Sequence, residues 1–511
     1  MNQPCKQLSN ESYRKARLAR DSRFDGKFFI GVLTTGIFCR PICPAVAPKE
    51  KNVRYFDSAI SAITAGLRPC LRCRPDSAPN SSAWKGTRTS IERALALVES
   101  GVLSGPDAIT IEALADKLGV SSRYLRQLFT DNFGTSPKRY AQFRDLMFAK
   151  QLLHQTDLPV TQVAFASGFN SVRRFNESFK ASLKLTPSAL RKQAVNYDEK
   201  QFNLSDKSGV ALSLFFSYRP PLDWDKQLAF HQVRMVEGME WVVENCGYGR
   251  SFQLDNVSGY FEATHEADKH GFNVSIYLSS SDELSNLKDV VGHIKRLLDL
   301  DADMTQVEAA ITSSSILGDK LITGLRLPGT WSLFEAGCRA VLGQQVSIIQ
   351  ATKLLNQLVE TYGKRLKVAD KEVILFPTPQ AIATAPLNEL KMPGARKAAL
   401  NALGQYVSEH PNGDVEDWLS IKGIGPWTIA YAKMRGLGDP NVLLCSDLVV
   451  KKRVLKLYEE RNQSTAPKAS ESLMFNQAVL PTSDYAELTK LLAEQVSPWG
   501  SYLTFQLWNL S

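Results

Sequence analysis

The sequence predicts a multidomain, mainly α-helical protein, and three observations carry that reading. Four of the eight cysteines fall within 35 positions near the N-terminus. A pattern of apolar helix, glycine and apolar helix recurs at an offset of 49 to 50 residues. A glycine-rich break, Ile421-Lys422-Gly423-Ile424-Gly425, interrupts a long helical stretch near the other end. A chain of 511 residues should hold three or four domains at roughly 100–200 residues each. In order, the expectation is a small α+β cysteine-rich domain over 1–80 and an all-α tandem helix-turn-helix domain over 86–195. A second small α+β domain follows over 204–300, then an all-α helix-hairpin-helix domain over 301–511.

Composition sets the outer bounds. The chain is 44% hydrophobic and 22% charged, the balance of a soluble globular protein. No apolar run approaches the ~20 residues of a membrane helix. Residues 1–20 mix charged side chains with no apolar segment of the secretory kind, so the expected location is cytoplasmic with no membrane partner. Net charge is +14 over residues 1–200 and −5 over the remainder. The first part reads as polyanion-binding, with a merely solvated basic surface as the alternative. Cys5, Cys246, Cys338 and Cys445 are scattered and read as small apolar residues or free thiols.

The first domain is justified by Cys39-x3-Cys43-x26-Cys70-x2-Cys73. Two close cysteine pairs separated by a loop can present four thiolates to one tetrahedral Zn²⁺. Around them, the segments TTGIFCRPIC and GLRPCLRCRPD resemble the N-terminal domain of the Ada family over residues 11–76. The resemblance implies that Cys39 accepts a methyl group from a DNA phosphotriester, with Cys43, Cys70 and Cys73 as the other zinc ligands. It also implies that methylation strengthens DNA binding. The spacing alone does not select Cys39, and a purely structural zinc site stays open.

After a polar stretch at 77–89, residues 88–194 read as helical throughout. Residues 114–137 and 163–187 are the two copies, with Ala115, Gly119 and Phe129 matching Ala164, Gly168 and Phe179. Each glycine supplies the backbone freedom that a tight interhelical turn needs. The second helices, 122–129 and 172–179, carry Arg123 and Arg126, and Arg173 and Arg174. Such arginines can read guanine edges or neutralise phosphates. The doubled motif with its TPSALR ending is similar to the AraC-type regulator domain. That similarity implies promoter DNA as a partner, and RNA polymerase beside it, with the protein acting as a monomer.

A second polar stretch, 196–208, precedes the third domain. There 209–218 and 271–280 read as strands and 282–298 as a helix. From about 301 the pattern is helical, with Ile348, Ile349, Leu354, Leu355, Leu358 and Val359 expected on the buried face of one helix.

The last domain rests on Gly423 and Gly425. Glycines between two helices leave backbone N–H groups free to cradle a phosphate without a basic side chain. That lets an acidic half hold DNA. The segments 327–347, 423–452 and 498–508 resemble the AlkA-type glycosylases of the helix-hairpin-helix superfamily, over about 204–511. The resemblance implies removal of alkylated bases such as 3-methyladenine from double-stranded DNA. It places the catalytic aspartate at Asp447, an aromatic base pocket at Trp427, Tyr431 and Trp508, and the residue that fills the gap left by the flipped base at Gln345. Trp427 stands where bifunctional relatives carry a Schiff-base lysine, so no lyase step is expected. Ser446 replaces the acid that often precedes the aspartate. The fold class is thus a small α+β zinc domain, an all-α tandem helix-turn-helix domain, a small α+β domain and an all-α helix-hairpin-helix glycosylase domain. The expected function is bifunctional repair and transcriptional regulation. The alternative is a regulator whose glycosylase half has lost activity and serves as non-specific DNA contact.

Overall fold

The structure, a computed structural model, describes residues 28–43, 45–56, 59–70, 87–99, 101–105, 108–194, 210–244, 246–254, 257–314, 316–411, 413–464 and 485–510, with positions 13, 14, 17, 18, 73 and 75. The polar stretches at 77–86 and 196–208, and Cys5, lie outside the described residues. The chain divides into two compact units, Met1–Arg144 and Asp145–Ser511.

In the first unit, strands β1 (Phe29–Val32), β2 (Ile37–Cys39) and β3 (Val53–Phe56), helix α1 (Ala59–Thr64) and strand β4 (Arg68–Pro69) build a four-stranded sheet of order β3-β1-β2-β4. Phe29, Phe38, Phe56, Ala62 and Leu67 form its small core. A core this size supplies little stability by itself. Helices α2 (Thr87–Glu99), α3 (Ile111–Lys117) and α4 (Ser122–Phe133) follow. Thr110 and Ser121 cap α3 and α4, each side chain accepting a first-turn N–H. Gly119 between them has φ +67°, as a tight interhelical turn requires.

Helix α5 (Pro137–Gln155) belongs to the second unit from Asp145 on. Helices α6 (Val160–Ala166), α7 (Val172–Leu183) and α8 (Pro187–Ala194) follow, with Gly168 at φ +84° in the turn before α7. A five-stranded antiparallel sheet has the order β5-β9-β8-β7-β6. Its strands are β5 (Val210–Ser217), β6 (Glu240–Val243), β7 (Gly247–Leu254), β8 (Val257–Glu266) and β9 (Gly271–Leu278), with helix α9 (Trp224–Gln232) after β5. Helix α10 (Leu287–Leu297) closes this part. The expected helix over 282–298 starts later, because Ser281–Asn286 is a tight 3₁₀ segment held by a Ser280–Glu283 capping box.

The remaining helices are α11 (Met304–Ser313), α12 (Leu333–Gly343), α13 (Ile348–Tyr362), α14 (Pro379–Thr384), α15 (Gly394–Glu409), α16 (Pro426–Ala432), α17 (Leu448–Ser464), α18 (Tyr485–Val496) and α19 (Gly500–Asn509). Here the structure corrects two further expectations. Strands β10 (Lys364–Val368) and β11 (Lys371–Leu375) form a hairpin inside the stretch read as helical. Five-residue strands laden with lysine leave too little alternation to stand out from a helical background. On α13, Leu354, Leu355, Leu358 and Val359 are buried, but Ile348 and Ile349 are 46% and 77% exposed. The first turn of that helix projects past the core.

Helix α12 is buried almost all round. It is fixed to the sheet by Glu335, which accepts from Arg250 of β7 at 2.9 Å and Arg339 at 2.8 Å, and by Arg339 donating to Glu240 of β6 at 2.9 Å. Burial pushes the Glu335 carboxyl up, and the two guanidiniums more than offset it, leaving it below the usual range. Removing one member of such a network leaves an unpaired buried charge, at a cost of about 3–5 kcal/mol.

Asp299, after α10, accepts from the Leu327 N–H and the Tyr502 hydroxyl, each at 2.9 Å. Burial pushes its carboxyl up to about 7, above the ~3.9 of an unfolded aspartate. The folded state therefore holds a proton that the unfolded chain has already released. Stability is greatest on the acid side and falls as pH rises from about 4 through 7. Asp299→Asn removes this loss. The variant should gain stability over the parent by roughly 2–4 kcal/mol more at about pH 8 than at about pH 5, measured by denaturant unfolding at the two values. An equal difference at both would refute the assignment.

Candidate active sites and nucleic-acid interface

The four clustered cysteines come together because β2 ends on Cys39 and β4 runs directly into Cys70, whose N–H donates to Phe38 O at 3.0 Å. The sulfurs of Cys39, Cys43, Cys70 and Cys73 all lie within 4.8 Å of one another. Ligands at about 2.3 Å from a tetrahedral Zn²⁺ need that spacing, so the residues fit the ion. The Arg40 N–H donates to Cys73 Sγ at 3.4 Å, and its guanidinium to Cys73 O at 3.2 Å. Such outer contacts orient metal-binding thiolates. Crowding alone cannot ionise all four. Hydrogen bonding with Cys43 holds the Cys39 thiol protonated, while hydrogen bonding from Cys39 pushes Cys43 down to about 2. A dication at the centre relieves that competition. Cys73 is buried and the other three are partly open. Burial therefore sets Cys73 apart but does not choose among the rest.

In the first helix-turn-helix copy, Leu125, Leu128 and Phe129 of α4 point inward while Arg123 and Arg126 are exposed. Arg126 donates to Ser122 Oγ at 3.1 Å and Glu112 Oε1 at 2.8 Å. In the second, Phe175 and Phe179 of α7 are inward and Arg173 and Arg174 outward, Arg173 pairing with Glu177 at 3.0 Å. Exposed pairs of this kind contribute about 0–1 kcal/mol, so a phosphate competes with them readily. Both recognition helices run one turn further than expected, to Phe133 and Leu183.

Asp447 sits at the start of α17. Its Oδ1 accepts the N–H groups of Val449 and Val450, at 2.9 and 3.1 Å, and the Trp508 indole N–H at 3.3 Å. Its Oδ2, among the described residues, accepts only the Trp427 indole N–H, at 3.1 Å. A carboxylate has about four lone-pair sites, so Oδ2 keeps one open. Four N–H donors and the positive end of a helix stabilise an anion here. The residue is partly exposed, beside Leu448 and Val449, which are 65% and 46% exposed.

The structure brings the three expected aromatics together around it. Trp427 and Tyr431, one turn apart on α16, have ring centroids 5.5 Å apart, and Tyr431 lies 6.2 Å from Trp508 of α19. Sequence reasoning missed two members. Phe230 of α9 lies parallel to Trp508 at 6.4 Å, and buried Arg435 donates to the Tyr431 hydroxyl at 3.1 Å. Arg435 is four residues after Tyr431, a helical spacing that was legible. Phe230 lies about 200 residues from the motif with no local signal.

Gly423 has φ +95°, and Ile421 and Ile424 are the buried anchors of the hairpin. Gly425 then caps α16 without a side chain. Pro426 has no N–H, and the Thr428 and Ile429 N–H groups donate to Gly425 O at 3.0 and 3.3 Å, so among the described residues the Trp427 N–H is the first-turn donor left for an anion. The loop before α13 is tied to this hairpin by Gln344, which donates to Gly423 O at 3.0 Å and Thr428 Oγ1 at 3.1 Å. Gln345 is exposed at φ +55°, and among the described residues its side chain has no hydrogen bond that competes with insertion into DNA. Lys433, near the hairpin, is paired with Glu416.

Three family models match this chain: "Metal binding domain of Ada" over residues 12–76, "Helix-turn-helix domain" over 114–193 and "AlkA N-terminal domain" over 212–332. A protein of Mycobacterium tuberculosis named "probable bifunctional transcriptional activator/DNA repair enzyme AlkA" is 32% identical, over 97% of this chain and 95% of its own length. The DNA-3-methyladenine glycosylase 2 of Escherichia coli is 29% identical over 57% of this chain and 95% of its own. The bifunctional transcriptional activator/DNA repair enzyme Ada of Escherichia coli is 38% identical over 26% of this chain and 36% of its own.

Proposed function

The chain belongs to the family of bifunctional transcriptional activator/DNA repair enzymes AlkA, and from that premise we propose which residues perform each activity. Asp447 excises alkylated bases, and Cys39 accepts a methyl group that turns on promoter binding. The observation that carries the first part is the pair of indole N–H groups, Trp427 and Trp508, converging on a carboxylate with one open lone pair.

An alkylated purine such as 3-methyladenine is cationic and leaves readily with the electron pair of its bond to the sugar. It must first turn out of the stack. The faces of Trp427, Tyr431 and Trp508 hold it by cation–π attraction, and Gln345 fills the vacated space. As the bond breaks, positive charge grows on the sugar ring, and the Asp447 anion opposes it. Oδ2 then takes a proton from the water that adds to the sugar. Gly423 and Gly425 hold the backbone phosphates. With Trp427 in place of a lysine, no covalent sugar adduct forms. Trp508→Ala loses one aromatic face and one hydrogen bond to Asp447. Its kcat/KM for 3-methyladenine release should fall roughly 10–100-fold, with Trp508→Phe recovering part of it.

At the cysteine cluster, a Zn²⁺ held by Cys39, Cys43, Cys70 and Cys73 would keep the four sulfurs deprotonated near neutral pH. The Cys39 sulfur attacks the methyl carbon of a phosphotriester, a C–S bond forms, the C–O bond breaks, and the phosphodiester anion leaves. With Zn²⁺ held by the four cysteines, the site charge would go from roughly −2 to −1, so repulsion from DNA would weaken. Arg123, Arg126, Arg173 and Arg174 then hold promoter DNA. The protein acts in the cytoplasm as a monomer and presents the promoter to RNA polymerase. The working division is 1–80, 86–195, 204–300 and 301–511. The deciding test is release of free base from methylated duplex DNA by the purified chain. No release would leave the regulator-only reading.

A further inference from the structure

The second helix-turn-helix copy is built into the body that carries Asp447. Leu152, Val163 and Phe175 share one apolar core with Phe216, Phe272 and Leu284 of the α+β part. The junction is polar as well. Strand β5 is an outer strand of its sheet, and the Phe215 N–H donates to Gln155 Oε1 at 3.1 Å, while Gln151 Nε2 donates to Phe215 O at 3.3 Å. Side chains of α5 thus cover backbone groups that an outer strand otherwise leaves open. Asp145 of α5 pairs with Lys288 of α10, both side chains largely buried. Helix α6 packs on the 281–286 segment.

This seat leaves the reading face of the copy free. Arg173, Arg174, Asn176 and Lys180 of α7 are all exposed, while Phe175 and Phe179 face the shared core. A basic helix fixed to the excision body by a packed core cannot sample DNA independently of it.

We propose that α7 belongs to the DNA-binding surface of base excision itself: Arg173 and Arg174 grip phosphates of the duplex under repair, flanking the lesion. This rests on the reading of Asp447 as the excision residue. Holding one duplex at two rigidly linked places raises the effective concentration of the second interaction. It adds two guanidiniums to an excision half that is acidic overall and whose hairpin carries one exposed lysine, Lys422.

The test uses the full chain and a lesion placed centrally in a long duplex of about 40 base pairs or a short one of about 12. The parent should prefer the long duplex, by KM, roughly tenfold. In Arg173→Ala/Arg174→Ala that preference should vanish, and the slope of log KM against log salt should become shallower by about 2, one for each phosphate no longer neutralised. Asp145→Lys, which unseats the copy with α7 intact, should lose the preference too. The charge swap Asp145→Lys/Lys288→Asp should restore it. An unchanged length preference and salt slope in the arginine variant would overturn the proposal, as would a swap that fails to restore it while far-ultraviolet circular dichroism stays native. Excision of the short duplex by the parent compared with Asp447→Asn reports the Asp447 reading separately, so the two can fail independently.

Discussion

Asparagine at position 447 is expected to lower single-turnover release of 3-methyladenine from duplex DNA by about 10²–10³-fold, a loss of roughly 2.7–4 kcal/mol of transition-state stabilisation. The side chain keeps its size, and its remaining oxygen still accepts the first-turn N–H groups of Val449 and Val450. What changes is the other atom. An amide nitrogen in place of Oδ2 meets the Trp427 indole N–H donor to donor. No charge then faces the sugar cation. The aromatic faces are untouched, so affinity for a duplex with an uncleavable base analogue should stay within about threefold, well under the 1.36 kcal/mol of one decade. Base release equal to that of the parent would remove Asp447 from its assigned role. A large loss of both binding and release would point to a damaged helix start instead.

The second large effect concerns the cysteines. Cys73→Ser should abolish zinc retention and unfold the sheet of β1 to β4. Structural zinc contributes on the order of 10 kcal/mol of apparent binding free energy, and the core of Phe29, Phe38, Phe56, Ala62 and Leu67 is too small to replace it. Cys39→Ala also leaves three cysteines, but it gives up a partly open ligand and keeps buried Cys73, so it should retain part of the metal while taking up no methyl from phosphotriester DNA. Zinc content by mass spectrometry under native conditions, and methyl transfer from labelled DNA, separate the two. Methyl uptake by Cys39→Ala would move the acceptor to Cys43 or Cys70, the other partly open sulfurs.

Much of the fold was legible because its signals are local. The cysteine spacing, the glycines at 119 and 168 and the hairpin at 421–425 each need a particular residue type at a particular backbone geometry, and the structure has that geometry at each. The convergence of Trp427, Tyr431 and Trp508 on Asp447 was carried by resemblance, since nothing in the spacing of 427 and 508 says that they meet. Phe230 and Gln344 were not legible. Their roles come from packing between segments far apart in sequence, which no periodicity records. Ile348 and Ile349 show the converse error. Apolar residues at helical spacing normally mark a core face, but the first turn of α13 extends beyond the core and leaves both side chains exposed.

The Gln151 and Gln155 side chains against β5 bear on how this gene product tolerates being divided. A polypeptide beginning at residue 204 would keep Asp447 and every aromatic neighbour. It would also bare the backbone of Phe215 and the apolar surface now covered by Leu152 and Val163. Uncovered sheet margins of that sort recruit strands from other molecules, so the isolated fragment should precipitate or self-associate at concentrations where the whole polypeptide stays dispersed.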